Sequence, residues 1–244
     1  MIRRISVACL CIVVLAFLLM PDMFRPVLQP LVAEGMPPIY DRANLLMLTL
    51  AHLGLVVAAI IPSAILAVSL AIFVSRPAGS EFLPLSRALT NFGQTFPPVA
   101  VLALTVPLLG FGLWPTLLAL FLYGLLPIFE NTLAAFVTLS PSVREAAAAM
   151  GMTPRQRLWR VELPLALPLI LEGGRIATII ALSTATIGST VAARSLGEVI
   201  IAGLNSNNLA FILQGGILTA ALALLISEVF SFVIRRLQYT QQAR

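Results

Sequence analysis

The chain has 244 residues, 59% of them hydrophobic and only 10% charged, with a mean hydropathy of +1.01. Ordinary soluble domains carry roughly 25% charged residues, so 15 basic and 10 acidic side chains are too few to cover a soluble surface. That excludes a soluble enzyme, a disordered tail and a secreted disulfide scaffold, and leaves an integral membrane protein.

Crossing a bilayer core of about 30 Å takes roughly 20 apolar residues in a helix, and lipid cannot satisfy a backbone in any open form. Six stretches qualify, and the fold class is all-α. The first, residues 5–24, follows Arg3 and Arg4. Pro21, Asp22 and Met23 stand where a signal peptide would carry small residues, so it reads as a retained anchor. Cys9 and Cys11 lie inside it; residues two apart diverge around a helix, which disfavours a bridge. Residues 26–42 are proline-rich and mildly acidic, with no helical period, and read as an outer loop. The second span, 45–74, is longer than required and carries Pro62, a site for a kink. His52 is alone in it and reads first as a packing side chain, a proton relay or ligand being the alternative.

The third span is 98–113, and Gln94, Thr95, Pro97 and Pro98 at its entrance mark a candidate functional kink. Gly110, Gly112 and Pro115 form a short turn into the fourth span, 116–128. The fifth is 176–193 and the sixth 211–234. On the fifth, Ser183, Thr186 and Thr190 recur at spacings of three and four, so with Gly188 they define a candidate translocation face. Ordinary helix packing, in which small and hydroxyl residues are common, is the even alternative. Glu172 and Arg175 are three apart and placed to pair.

All 15 basic residues are arginine. With the N-terminus inside, twelve fall on the cytoplasmic side, and only Arg25, Arg42 and Arg194 outside. The positive-inside bias therefore predicts six spans, N-in and C-in, and explains the basic balance without nucleic acid. No period of 20–50 residues suggests an array, and residues 1–244 read as a single transmembrane domain.

One loop carries a chemical signal. Residues 131–175 form the longest predicted cytoplasmic stretch. Ser140 is a plausible N-cap with Pro141 at the first helical position; Ser142 with Glu145 is a competing capping box. Ala146 to Ala149 are strong helix formers, and Gly151 supplies a left-handed stop. Thr153 caps a second helix, with Pro154 first and Gln156 at the capping-box position; Pro164 ends it. The product is a helix, a glycine elbow and a second helix. Small alanine side chains would let another protein approach the backbone closely, and Glu145 could meet a basic group there. Arg155, Arg157 and Arg160 could sit near anionic headgroups. A docking element and an amphipathic loop at the interface are equally compatible with these residues.

Glu145-Ala146-Ala147, three residues, Gly151, nine residues, Val161, one residue, Leu163-Pro164 resembles the EAA loop of permease subunits in bacterial binding-protein-dependent ABC importers. Valine stands where isoleucine is commoner. The resemblance implies a type I importer-like permease fold in the bacterial cytoplasmic membrane. It also implies that Glu145, Ala146, Ala147 and Gly151 form an elbow seated on an ATPase, while Leu163 and Pro164 return the chain to the membrane. Residues 93–102, 107–112, 122–127, 150–152, 161–166 and 185–190 are similar to the osmoprotectant permeases that import glycine betaine and related quaternary amines. Polar amino-acid, methionine and sulfonate permeases share the same loop.

The chain carries no GxxxxGK[ST] motif with which to cradle nucleotide phosphates. The resemblance therefore places ATP and Mg on separate ATPase subunits, with an extracytoplasmic binding protein and a second permease, copy or paralogue, as further partners. Quaternary ammonium ions suit aromatic cages; Phe111, Trp114, Phe121 and Tyr123 form no evident cluster and read as interfacial anchors. A non-transporting scaffold is the rival from another class. An intramembrane enzyme lacks paired carboxylates, an HExxH motif or a Cys–His constellation to support it.

Overall fold

A computed structural model describes residues 2–242, with side chains described over 7–239; Arg3, Arg4 and Arg244 of the charge-bias argument lie outside the described side chains. All regular secondary structure among the described residues is helical, and no strand occurs among them. In chain order the helices are α1 Ile2–Leu19, α2 Arg25–Leu28, α3 Leu45–Val74, α4 Leu83–Thr95, α5 Pro98–Leu109 and α6 Leu113–Val137. There follow α7 Pro141–Ala149, α8 Pro154–Arg157, α9 Leu163–Ile187, α10 Gly197–Asn205 and α11 Leu209–Gln242. By length and composition four helices can cross a membrane, or up to six if each of two broken helix pairs counts as one span.

Span boundaries move where proline intervenes. The first helix stops at Leu19 rather than residue 24, and the chain turns by 109° into Pro21–Leu31. The end of the expected first span and the start of the outer loop expected from residue 26 are short helical turns, Pro21–Phe24, α2 and Gln29–Leu31, each with proline in its first two positions. Proline presets the helical φ there and lacks only an N–H that would be unpaired anyway, so each one starts a turn while ending the last. The second span has the expected bounds, 45–74, with Pro62 inside. The third is shorter than expected: α5 has 12 residues, about 18 Å at a rise of ~1.5 Å per residue, and is preceded by the amphipathic α4. Gly110 (φ +75°) and Gly112 (φ +103°) make the expected turn into α6.

The fourth span runs to Val137, not 128, so the loop predicted from residue 131 is mostly helix. Two of its polar residues satisfy themselves on their own helix: Asn131 Nδ2 donates to the Pro127 carbonyl at 2.8 Å, and Thr132 Oγ1 to the Ile128 carbonyl at 2.7 Å. The fifth span is part of a 38-residue helical run, Pro154–Val191. The sixth is extended to Gln242, and α10 is a further short helix before it.

Packing divides into two compact units. One comprises Met1–Ala59, Phe96–Leu120 and Thr178–Glu228. Its core joins Val14 and Leu18 of α1 to Leu48 of α3, Val199 of α10 and Phe211 of α11. Asn208 and Gln214 pin the extended segment before α3. Asn208 Nδ2 donates to the Pro37 carbonyl at 2.9 Å; Gln214 Nε2 donates to the Pro38 carbonyl at 2.8 Å, and its Oε1 accepts from the Tyr40 N–H at 3.1 Å. Tyr40 then packs edge-on against Phe211 with ring centroids 5.3 Å apart.

The other unit comprises Ile60–Thr95, Phe121–Ala177 and Val229–Arg244. Small residues let its helices meet closely, as lipid-exposed bundles require. Ala67 and Ala71 of α3 pack with Ile128 and Phe129 of α6 and Ala177 of α9. Gly173 lies so near α6 that a Cβ would stand 2.7 Å from the Pro127 carbonyl oxygen.

Candidate coupling elbow and translocation face

The elbow forms from local signals. Ser140 takes the N-cap position and Pro141 the first turn of α7, but the cap bond is absent: Ser140 Oγ pairs with Ser142 Oγ at 2.7 Å. The expected side-chain cap and the competing Ser142–Glu145 box are thus both replaced by a hydroxyl pair. Gly151 has φ +75°. Its N–H donates to the Ala148 carbonyl at 2.9 Å, and the Met152 N–H to that of Ala147 at 3.2 Å. This is a Schellman stop, which satisfies carbonyls in the last turn of α7. Thr153 and Gln156 form the predicted box: the Thr153 N–H donates to Gln156 Oε1 at 2.9 Å, and the Gln156 N–H to Thr153 Oγ1 at 3.3 Å.

Pro164 does not end the second helix. A π-helical turn, Leu158–Glu162, joins α8 to α9, so Leu163 and Pro164 begin a long helix instead of closing a short one. Proline tolerates the first turn of a new helical register, and the widened turn before it relieves the clash with the preceding turn. On the elbow, Glu145, Ala146, Gly151 and Pro164 are exposed, Leu163 is half-buried and Ala147 is buried. Ala147 therefore seats the elbow inward while Glu145 and Ala146 face out. Met150 and Trp159, 70% and 67% exposed, extend the outward face with apolar area that the sequence pattern does not single out.

Beneath the elbow lies a residue that the sequence pattern does not mark as a site. Glu162 is 1% exposed and faces three guanidinium groups: Arg76 at 2.5 Å, Arg157 at 3.4 Å and Arg144 at 3.8 Å. Arg76 lies over the Phe136 ring at 5.3 Å, and Arg144 donates to the Phe136 carbonyl. The one available signal is a lone carboxylate at the membrane end of an arginine-rich helix.

The hydroxyls of α9 form a surface strip. Ser183 and Thr190 are exposed and Thr186 half-buried. Each donates to a carbonyl of its own helical run: Ser183 to Ile179 at 3.3 Å, Thr186 to Ser183 at 2.7 Å and Thr190 to Ile187 at 2.7 Å. Gly188 does not join the strip: it is buried, and a Cβ there would stand 2.5 Å from Thr116 Cγ2. In the other unit, α4 ends at Thr95, where Thr95 Oγ1 donates to the Phe92 carbonyl at 2.7 Å. Gln94 Nε2 donates to the Tyr123 carbonyl at 3.2 Å. His52 is fully buried, Glu172 pairs with Arg175, and Cys9 and Cys11 are free. Phe111 and Trp114 are exposed. Among the described residues no group of three or more His, Cys, Asp or Glu is placed to hold a metal ion.

Membrane-length helices, with a capped elbow in the chain between two of them, define a polytopic membrane protein. The family model "Binding-protein-dependent transport system inner membrane component" matches residues 63–243, and the chain belongs to that family. It is 39% identical over 196 residues to the osmoprotectant import permease protein OsmY of Salmonella typhimurium, covering 80% of this chain and 83% of that one. It is 37% identical to the carnitine transport permease protein OpuCD of Listeria monocytogenes, over 76% of this chain and 82% of that one. With the choline transport system permease protein OpuBB of Bacillus subtilis it shares 34% identity, over 81% and 90% of the two chains. Its fold is similar to that of the MetNI methionine ABC transporter in an inward-facing conformation, with TM-score 0.71 and 21% identity over 79% of this chain and 95% of that one. The chain is thus a transport subunit of the inner membrane rather than an enzyme, acting with an ATPase and a binding protein.

Proposed function

We propose that the chain is one continuous permease domain through which an ATP-driven importer moves glycine betaine or a related quaternary amine, such as carnitine or choline, into the cell. The observation that carries the substrate class is the set of relatives named for osmoprotectant, carnitine and choline, each aligned over most of both chains. The likeness to the methionine transporter, at 21% identity, bears on fold alone.

The chain lies N-in and C-in, with the arginine-rich elbow towards the cytoplasm. Glu145, Ala146, Ala147 and Gly151, held by the Schellman stop and the Thr153–Gln156 box, form the element that seats on the ATPase, and Leu163 and Pro164 root it in α9. ATP and Mg act on that partner. A second permease, a copy or a paralogue, completes the membrane pore, and the extracytoplasmic binding protein delivers the solute. Two stretches line the path: the strip Ser183, Thr186 and Thr190, supported by its exposure, and Gln94 with Thr95 where α4 ends. Selectivity resides mainly in the binding protein, a reading supported by the sequence placement of Phe111, Trp114, Phe121 and Tyr123 as interfacial anchors.

The test is reconstitution in lipid vesicles with the ATPase and binding protein, measuring ATP-dependent uptake of labelled glycine betaine, carnitine and choline against histidine, methionine and a sulfonate. Uptake of the quaternary amines is expected. Uptake of histidine, methionine or the sulfonate instead would overturn the substrate class.

A further inference from the structure

Glu162 is the one acidic side chain fully withdrawn from solvent among the described residues. A carboxylate removed from water is tolerated only when it is paired. Here the three partners come from three different places: Arg76 just beyond the end of α3, Arg144 on α7 and Arg157 at the end of α8. Arg76 and Arg144 both also engage Phe136 near the end of α6, one on its ring and the other on its carbonyl. The π-turn Leu158–Glu162 sets the geometry, since one extra residue in a turn rotates the downstream helix by about 100°. Glu162 is thereby buried while Val161 and Leu163 on either side are only half-buried.

A buried ion pair is weak evidence for stability, because well-packed apolar residues could hold the same helices. What the charges add is dependence of position on one atom group. Three cations that would repel one another are gathered by a single carboxylate, and each belongs to a different segment. We propose that Glu162 is a positioning residue for coupled transport: an ionic joint that makes the elbow helix α7, the end of α3 and the root of α9 move as one when the ATPase displaces the elbow. This rests on the reading of α7 as the ATPase-seating element. Without the carboxylate, α7 hinges about Leu139 and Ser140, and its displacement is lost before it reaches the membrane helices.

The experiment uses the complete importer in vesicles, reading solute uptake, ATP hydrolysis and ATPase assembly for each variant. Glu162→Gln keeps shape and removes charge. It is expected to assemble with the ATPase and hydrolyse ATP, while uptake per ATP falls at least about tenfold, within the usual range of coupling energies. Glu162→Asp, which restores the charge one methylene short, should recover part of that loss. If Glu162→Gln does not assemble, Arg76→Gln decides: it removes the nearest partner, leaves Arg144 and Arg157, and should lower the same ratio. A ratio equal to wild type, or uptake and hydrolysis falling together in proportion to assembled complex, would overturn the joint. Gly151→Val run in parallel separates the readings: normal coupling there refutes the elbow itself. Should wild type import a different solute, the substrate class fails and the ratio is read with that solute.

Discussion

The side-chain amide of Gln94 donates to the Tyr123 carbonyl, 3.2 Å away, which is the carbonyl that Pro127, four residues on and lacking an N–H, cannot serve. A proline inside a helix removes that bond from the ladder. In a membrane helix the oxygen needs another donor, and α4 supplies one. Gln94 thus acts on any path beside it by completing the hydrogen bonding of α6 where Pro127 interrupts it.

Gln94→Leu should therefore destabilise the protein by about 1 kcal/mol, the usual net worth of such a bond, read as a lower melting temperature in detergent. Pro127→Ala restores the missing N–H. In the Pro127→Ala background, Gln94→Leu should cost much less, so a double-mutant cycle shows a clear coupling between the two positions. Strict additivity would remove the assigned role.

The elbow depends on Gly151 through backbone conformation and not through space. Nothing lies within 4 Å of a Cβ built there, yet φ is +75°. A left-handed residue costs an ordinary L side chain roughly 1–2 kcal/mol, least for asparagine. Gly151→Asn is expected to keep ATPase binding and uptake near wild type, and Gly151→Val to weaken ATPase association or hydrolyse ATP without uptake. Co-purification of the ATPase with each variant, followed by uptake, measures this. Equal behaviour of the two variants would remove the conformational argument.

Tyr40 provides a pH dependence outside the membrane helices. It is 6% exposed, and burial first, then the nearby Glu198 carboxylate, raises its phenol above the ordinary value of 10.0. The unfolded chain then releases this proton at lower pH than the folded one. Stability from this group is complete below about pH 10 and falls as pH rises through the folded value. Melting temperature should decline more steeply above pH 10 for wild type than for Tyr40→Phe. Parallel curves for the two proteins would contradict this.

How much of this could be read from sequence depended on range. Leu45–Val74 and the elbow were legible because their signals are local: an unbroken apolar run, a glycine stop, and a Thr-Pro start with glutamine three residues on. Gly151 and Thr153 adopt the roles their neighbours dictate. The lengths of α6 and of the run through Pro164 were not legible. Pro127, Glu130 and Asn131 look like a helix end, and only the bonds of Asn131 and Gln94 show how the helix continues. Pro164 looks like a stop, and a π-turn, which no residue pattern announces, carries the helix past it. Glu162 was illegible as a site for a different reason: its partners Arg76 and Arg144 are brought near only by the tertiary fold.

The strip on α9 separates path from packing. Ser183, Thr186 and Thr190 each bond a carbonyl of their own helical run, and those carbonyls are also served by the helix itself. Replacing such hydroxyls removes little tertiary structure, and at exposed or half-buried positions without tertiary bonds the stability change should stay within about 0.5 kcal/mol. Valine keeps the shape of threonine while removing its polarity. Thr186→Val and Thr190→Val, singly and together, should therefore leave melting and ATPase association unchanged. If the strip lines the path, uptake at saturating binding protein slows progressively from single to double variant, because a solute leaving water loses hydroxyl partners along its way. Measured initial rates decide it: unchanged uptake in the double variant assigns the strip to lipid or subunit packing, and a loss at constant assembly assigns it to the path.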